Sequence, residues 1–146
     1  MRATGIALAL LLAAPAGRAA AQSAADSAAI RAAATDYILG WYEADAPRME
    51  RSLSPELAKR IVVRNPATGK DEVENLTAKQ LVDDTGINEK VPAAGQRREI
   101  TILDIFQNMA TVKLVAAGWV DYMHLGKVDG RWQIVNVMWD TMRTRR

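Results

Sequence analysis

The sequence predicts one α+β domain, a curved antiparallel sheet wrapped around N-terminal helices so that a cone-shaped hollow lies between them. Three observations predict it. Apolar residues recur at helical spacing early in the chain and at strand spacing late in it. The stretch from Trp119 to Trp139 reads as two aromatic and β-branched runs around Asp129-Gly130, a pair that tolerates the positive φ of a type I′ turn. Both faces of that hairpin are largely apolar, which calls for helices on one face and a partner on the other.

Unbroken pairing across the turn sets the expected faces. With Val128 opposite Arg131, one face carries Lys127 with Trp132, Leu125 with Ile134, Met123 with Asn136 and Asp121 with Met138. The other carries Gly126 with Gln133, His124 with Val135, Tyr122 with Val137 and Val120 with Trp139. A bulge in the ladder would exchange the two sets.

The elements follow in order. A helix is expected from Ser23 or Asp26 to about Glu43, with Ile30, Ala34, Tyr37, Ile38 and Trp41 as its buried stripe and Tyr42 pointing away from it. Gly40 within that stripe costs about 1 kcal/mol against alanine and would permit a close approach by the sheet. Asp45 caps a short second helix over Ala46 to Leu53, and Ser54-Pro55 restarts a helical turn with proline at its first position. A strand over Arg60 to Asn65 turns through Pro66-Ala67-Thr68-Gly69 into a weak strand near Asp71 to Glu74. Thr77 and Gln80 fit a capping box that opens a helix closed by Gly86. Ile87 to Gln96, with Pro92 and Gly95, is a loop, either a connection or, at the rim of a pocket, a lid. Strands near Arg97 to Phe106 and Met109 to Ala116 then lead into the closing hairpin.

The first 21 residues read as a signal peptide. Met1-Arg2 gives a positive start, Gly5 to Ala14 is apolar, and Ala19-Ala20-Ala21 supplies small residues for a cut before Gln22. That apolar run is about half the ~20 residues a membrane-spanning helix needs. With no cysteine in the chain there is no lipid attachment site, so the expectation is export, to a bacterial periplasm, as a single domain over residues 22–146. The formal charge of +2 comes from 19 Lys and Arg against 17 Asp and Glu. Arg2 and Arg18 leave with the leader, and the mature chain is balanced. No basic stripe interleaved with aromatics marks a nucleic-acid site, and Arg143 to Arg146 reads as a solvated tail. Without cysteine, disulfides and thiol catalysis are excluded, and a lone histidine makes a metal site a poor fit. No glycine-rich phosphate loop calls for a cofactor.

This order of elements resembles the nuclear transport factor two-like superfamily, which includes ketosteroid isomerase, scytalone dehydratase and SnoaL-like polyketide cyclases. Three stretches resemble, more narrowly, the family named putative lumazine-binding: Tyr37-Ile-Leu-Gly-Trp-Tyr-Glu-Ala-Asp45, Trp119-Val-Asp-Tyr-Met-His-Leu125 and Asp129-Gly-Arg-Trp-Gln-Ile-Val-Asn-Val-Met-Trp139. The resemblance implies a cystatin-like roll and a flat pteridine ligand. That family carries a His-Pro pair after the second helix where this chain reads Ser54-Pro55. No role of such a histidine carries over.

Asp121 is the first candidate for chemistry. A carboxyl amid Trp119, Met123, Asn136 and Met138 would be pushed toward its neutral form by desolvation, which suits a general acid or base. Its structural alternative is an ion pair with a basic residue such as Lys113. His124, of opposite strand parity, is expected on the outer face, and a shift of one residue would turn it into the pocket as an acid–base group. Tyr37 and Trp41 would line the hollow as hydrogen-bond donor and stacking plane, or serve as core. Trp119 and Met123 join them, and Asn136 would read a ligand's carbonyl edge or bond a covering helix. Tyr122, Val135, Val137 and Trp139 form an apolar outer patch that a two-fold homodimer would cover.

The expected function is binding of a small, flat or apolar molecule in the cone. The alternatives are a cofactor-free isomerase, dehydratase or cyclase using Asp121, and an interaction domain whose hollow its own side chains fill.

Overall fold

A computed structural model describes the backbone of residues 16–142 and the side chains of residues 23–142. Residues 1–15 and 143–146, which hold most of the expected leader and the terminal arginines, lie outside the described residues.

Helix α1 runs over Ala16–Glu43 and α2 over Ala46–Ser52. They are joined by Ala44, at a φ of 52°, and by a hydrogen bond from Asp45 N to Gly40 O of 2.9 Å. Asp45 caps α2 through its side chain, which accepts from Arg48 N. The tight corner explains Gly40. A Cβ there would lie 2.8 Å from the backbone nitrogen of Met49, so the close neighbour is α2 rather than the sheet.

Strand β1 spans Leu53–Arg64 and β2 Asp71–Thr77; helix α3 follows over Ala78–Ile87, with the Thr77–Gln80 capping box formed in both directions. Ser54-Pro55 does not restart a helix. Leu53 already has the extended values φ −99°, ψ 147°, and a residue before proline is biased out of the helical region, so the chain enters β1 directly. The segment after α3 holds one short 3-10 turn, Ala93–Gly95. It is tied down by Val91 N donating to Tyr42 O at 2.8 Å and Asn88 Nδ2 donating to Trp41 O at 2.9 Å. None of its residues lines the hollow described below, so it is a connection and no lid.

Strands β3 (Glu99–Phe106), β4 (Met109–Val115), β5 (Trp119–Val128) and β6 (Arg131–Thr141) form the closing meander. The six strands lie in one curved sheet in the order β2-β1-β6-β5-β4-β3. All pairings are antiparallel except β1 with β6, which run parallel and make the sheet mixed. Helix α1 packs across the concave face, and its Ile30, Ala34, Tyr37 and Ile38 join Val112, Leu114, Met123, Leu125 and Ile134 in the core. Tyr42 is also buried, a departure from its expected outward direction. Its hydroxyl donates to Arg97 O at 2.6 Å and accepts from Ala117 N at 2.9 Å, so the returning chain closes over it.

The hairpin turn has the expected geometry, with φ 48° at Asp129 and 78° at Gly130. Pairing follows the expected register from Val128–Arg131 to Leu125–Ile134, and then a bulge at Val135 moves it by one. Beyond the bulge His124 faces Asn136, Met123 faces Val137, Tyr122 faces Met138 and Asp121 faces Trp139. The bulge exchanges the later residues of β6 between faces: Val137 and Trp139 turn inward, Asn136 and Met138 outward.

Candidate functional site

The concave face carries a buried polar cluster. Asp121, on β5, is fully buried. Its Oδ1 accepts from Lys59 Nζ at 2.8 Å and from the Tyr37 hydroxyl at 3.4 Å, and its Oδ2 accepts from Trp119 Nε1 at 2.8 Å. Lys59 Nζ also donates to the Tyr37 hydroxyl at 2.6 Å and stands over the Trp139 ring, 4.6 Å from its centre. Three elements converge to build this. Tyr37 comes from the buried stripe of α1. Lys59 shares the inward parity of Leu57 on β1, and Asp121 shares that of Met123 and Leu125 on β5.

Electrostatics follow from burial. Desolvation pushes the Lys59 ammonium below its ordinary value of 10.5, with the adjacent Asp121 charge and hydrogen bond pulling the other way. Burial, reinforced by the same carboxylate, holds the Tyr37 phenol well above 10.0, so it stays protonated. Lys59 and Asp121 together cancel in charge.

Beside the cluster lies a hollow of about 250 Å³, walled by Tyr37, Trp41, Trp119 and Trp139, floored by Met49 and Lys59, and rimmed by Leu76, Leu81 and the exposed Asp84. A second hollow of about 310 Å³ adjoins it through Lys59, Leu76 and Trp139, with Glu74 and Asn75 on its rim. Trp139 Nε1 is buried without a hydrogen-bond partner among the described residues. The lining is mostly aromatic and apolar, and its polar groups are few: the Tyr37 hydroxyl, the Lys59 ammonium and Asp84. That combination marks sites for small molecules.

The structure brings together Tyr37, Trp41 and Trp119 at this hollow. Met123 faces inward but is fully buried in the core and does not reach the wall. Asn136 is turned out by the bulge. Its Oδ1 accepts from Arg60 Nη1 at 2.8 Å and its Nδ2 lies 3.2 Å from His124 Nδ1, so both groups expected of a reading or acid–base residue are spent on the outer face. His124 is exposed there. Val137 and Trp139 leave the expected outer patch for the inside, while Tyr122 stays exposed. Asp121 pairs with Lys59 rather than Lys113, whose ammonium stands over the Tyr122 ring on the other face. Sequence reasoning missed Lys59 and Trp139. The alternation of Leu57, Lys59 and Ile61 against Ala58, Arg60 and Val62 held the signal for the lysine; nothing in the sequence marks Val135 as a bulge.

Comparison with known proteins places the fold. A family model described as "Putative lumazine-binding" matches residues 25–140. The chain belongs to that family. No functionally curated protein matches its sequence. Among solved structures, a nuclear transport factor two-like protein of unknown function from Shewanella baltica is similar at 20% identity and a TM-score of 0.64, covering 83% of this chain and 97% of the other. One from Methylobacillus flagellatus shares 22% identity at a TM-score of 0.63, covering 82% and 94%. A ketosteroid isomerase-like protein from Erwinia carotovora aligns at 16% identity and 0.52, covering 80% and 96%. These likenesses establish the fold of this lumazine-binding family member and no activity.

Proposed function

We propose that this chain is an exported domain that binds a small, flat, largely apolar molecule in the aromatic hollow. One observation carries the reading: three tryptophans and a tyrosine wall a space that the chain's own side chains leave open, next to a buried charged cluster. The family description supports a pteridine such as lumazine, whose rings suit stacking between Trp41, Trp119 and Trp139. Binding is favoured over proton-transfer catalysis by Asp121. That carboxylate accepts three hydrogen bonds and does not line the hollow, so a substrate would meet Lys59 and Tyr37 instead.

The outer face is read as a homodimer surface. Tyr122, Met138 and Val62 stand exposed together there, at 46%, 42% and 49% exposure. Native mass spectrometry reads this directly, and a monomer at micromolar concentration rules it out.

Three of the four tryptophans line the hollow, so titration with lumazine has an intrinsic readout. The expected result is saturable quenching that Trp41→Ala weakens about tenfold, the loss of one stacking plane at ~1–1.5 kcal/mol. Linear, non-saturating quenching unchanged by that substitution would remove lumazine and leave other flat molecules to be screened the same way.

A further inference from the structure

Of the buried charged residues, Lys59 alone lines the aromatic hollow among the described residues. A buried ion pair is a weak source of stability, and apolar residues of similar volume commonly replace one without loss. A lysine so placed is a group the core does not need. Its surroundings are those that amine chemistry uses: an apolar aromatic chamber, a carboxylate 2.8 Å from Nζ and a phenol 2.6 Å from it.

Resting on the reading of the hollow as a ligand site, we propose that Lys59 Nζ captures a flat, apolar aldehyde or ketone as a covalent imine. Asp121 Oδ1 takes one proton from the ammonium, and the freed lone pair forms the C–N bond while the carbonyl π pair moves to oxygen. Tyr37 gives its hydroxyl proton to that oxygen and recovers one from the nitrogen. The nitrogen lone pair then expels the hydroxyl as water, with the proton held on Asp121 relayed through Tyr37, whose oxygen lies 3.4 Å from the same carboxylate oxygen. The balance is one ammonium and one carbonyl in, one iminium and one water out. No oxidant or metal enters. The iminium keeps the positive charge opposite Asp121, so the buried charge balance of the free protein is preserved.

Two further features fit. Burial lowers the proton affinity of Lys59, which raises the share of free amine at a given pH. The Trp139 face, 4.6 Å from Nζ, accommodates the cationic product as it does the ammonium.

The test is reductive trapping. The protein is incubated with 2-naphthaldehyde and sodium cyanoborohydride, and the naphthylmethyl adduct is mapped by peptide mass spectrometry. Lys59 should be labelled at least about tenfold faster than Lys70, Lys79, Lys90, Lys113 or Lys127, with one adduct dominating the intact mass. Tyr37→Phe should slow labelling at Lys59 while leaving the other lysines as they were. Because Lys59→Arg can disturb the fold, site mapping in the unmodified protein is the deciding readout. Labelling of Lys59 no faster than of the other five overturns the proposal. The non-reactive 2-methylnaphthalene separates the two readings. If it quenches the tryptophans saturably while the aldehyde leaves Lys59 unlabelled, the imine falls and the binding site stands; if it does not quench and the aldehyde leaves Lys59 unlabelled, both fall.

Discussion

Neighbouring residues on β5 live in two environments, and the contrast between them organises the molecule. Asp121 faces in: it is fully buried, and both its oxygens are held by donors from α1, β1 and its own strand. One residue on, Tyr122 faces out, and two further on His124 meets Asn136 and, through it, Arg60 in contact with solvent. On the inner face a lost partner leaves a charge in a low-dielectric interior, whereas on the outer face water replaces it at little cost. The lesson is that residue type says little about stakes here; strand parity decides them.

The largest effect that would sharpen this contrast is on Asp121. Asp121→Ala leaves the Lys59 ammonium buried and unpaired, and a loss of about 3–5 kcal/mol is expected in urea unfolding. A loss under about 1 kcal/mol would show the pair to be more hydrated than the fold implies. Next comes the bulge that assigns the faces. The chain has no cysteine, so Tyr122→Cys with Met138→Cys should oxidise readily, their strands being paired at that position, and should stabilise by about 3 kcal/mol. Tyr122→Cys with Val137→Cys, the pairing of an unbulged ladder, should not cross-link. The reverse pattern, read by mass after thiol alkylation, would place Trp139 outside and dismantle the hollow.

Tyr37→Phe is a smaller perturbation. It removes an acceptor for Lys59 and a donor to Asp121, at about 1–2 kcal/mol. It also carries a pH signature. The folded protein holds the Tyr37 phenol well above 10.0, while the unfolded chain ionises near 10.0, so the unfolded state releases its proton first. Stability from this group is present below 10.0 and is lost as pH rises above it toward the folded value. Unfolding free energy measured across that alkaline range should fall more steeply in the native sequence than in Tyr37→Phe; parallel curves would contradict the burial of the phenol. Smallest of all, His124→Ala on the outer face should change stability by no more than about 0.5 kcal/mol.

Local chemistry was legible in the sequence wherever a few adjacent residues settle the outcome. Asp129-Gly130 dictates the hairpin turn, Thr77 with Gln80 the start of α3, and Asp45 the start of α2. The roll itself was legible from the order of elements and the three family-like stretches. What failed depended on distant parts of the chain. Ser54-Pro55 suits a helical first turn as well as a strand, and the β6 pairings on either side of it, Leu53 opposite Ile134 and Ala58 opposite Asn136, decide for the strand. The bulge at Val135 has no local signature, yet it moves Trp139 into the hollow and Asn136 out of it. Of the candidate site, Tyr37, Trp41, Trp119 and Asp121 stood in the sequence on apolar stripes. Lys59 did not, because a lysine in a strand reads as solvent-facing until its partner across the sheet is known.

On the proposed function, the inner face of this sheet holds a ligand and the outer face does not. The most direct test is native mass spectrometry of the protein purified from cells without added ligand, run beside Leu81→Trp, which fills the hollow from α3, and Tyr122→Ser, which alters the outer face. The expected result is a discrete additional mass on the unmodified protein and on Tyr122→Ser, and none on Leu81→Trp. An additional mass that Leu81→Trp retains, or an unmodified protein that carries none, would contradict it.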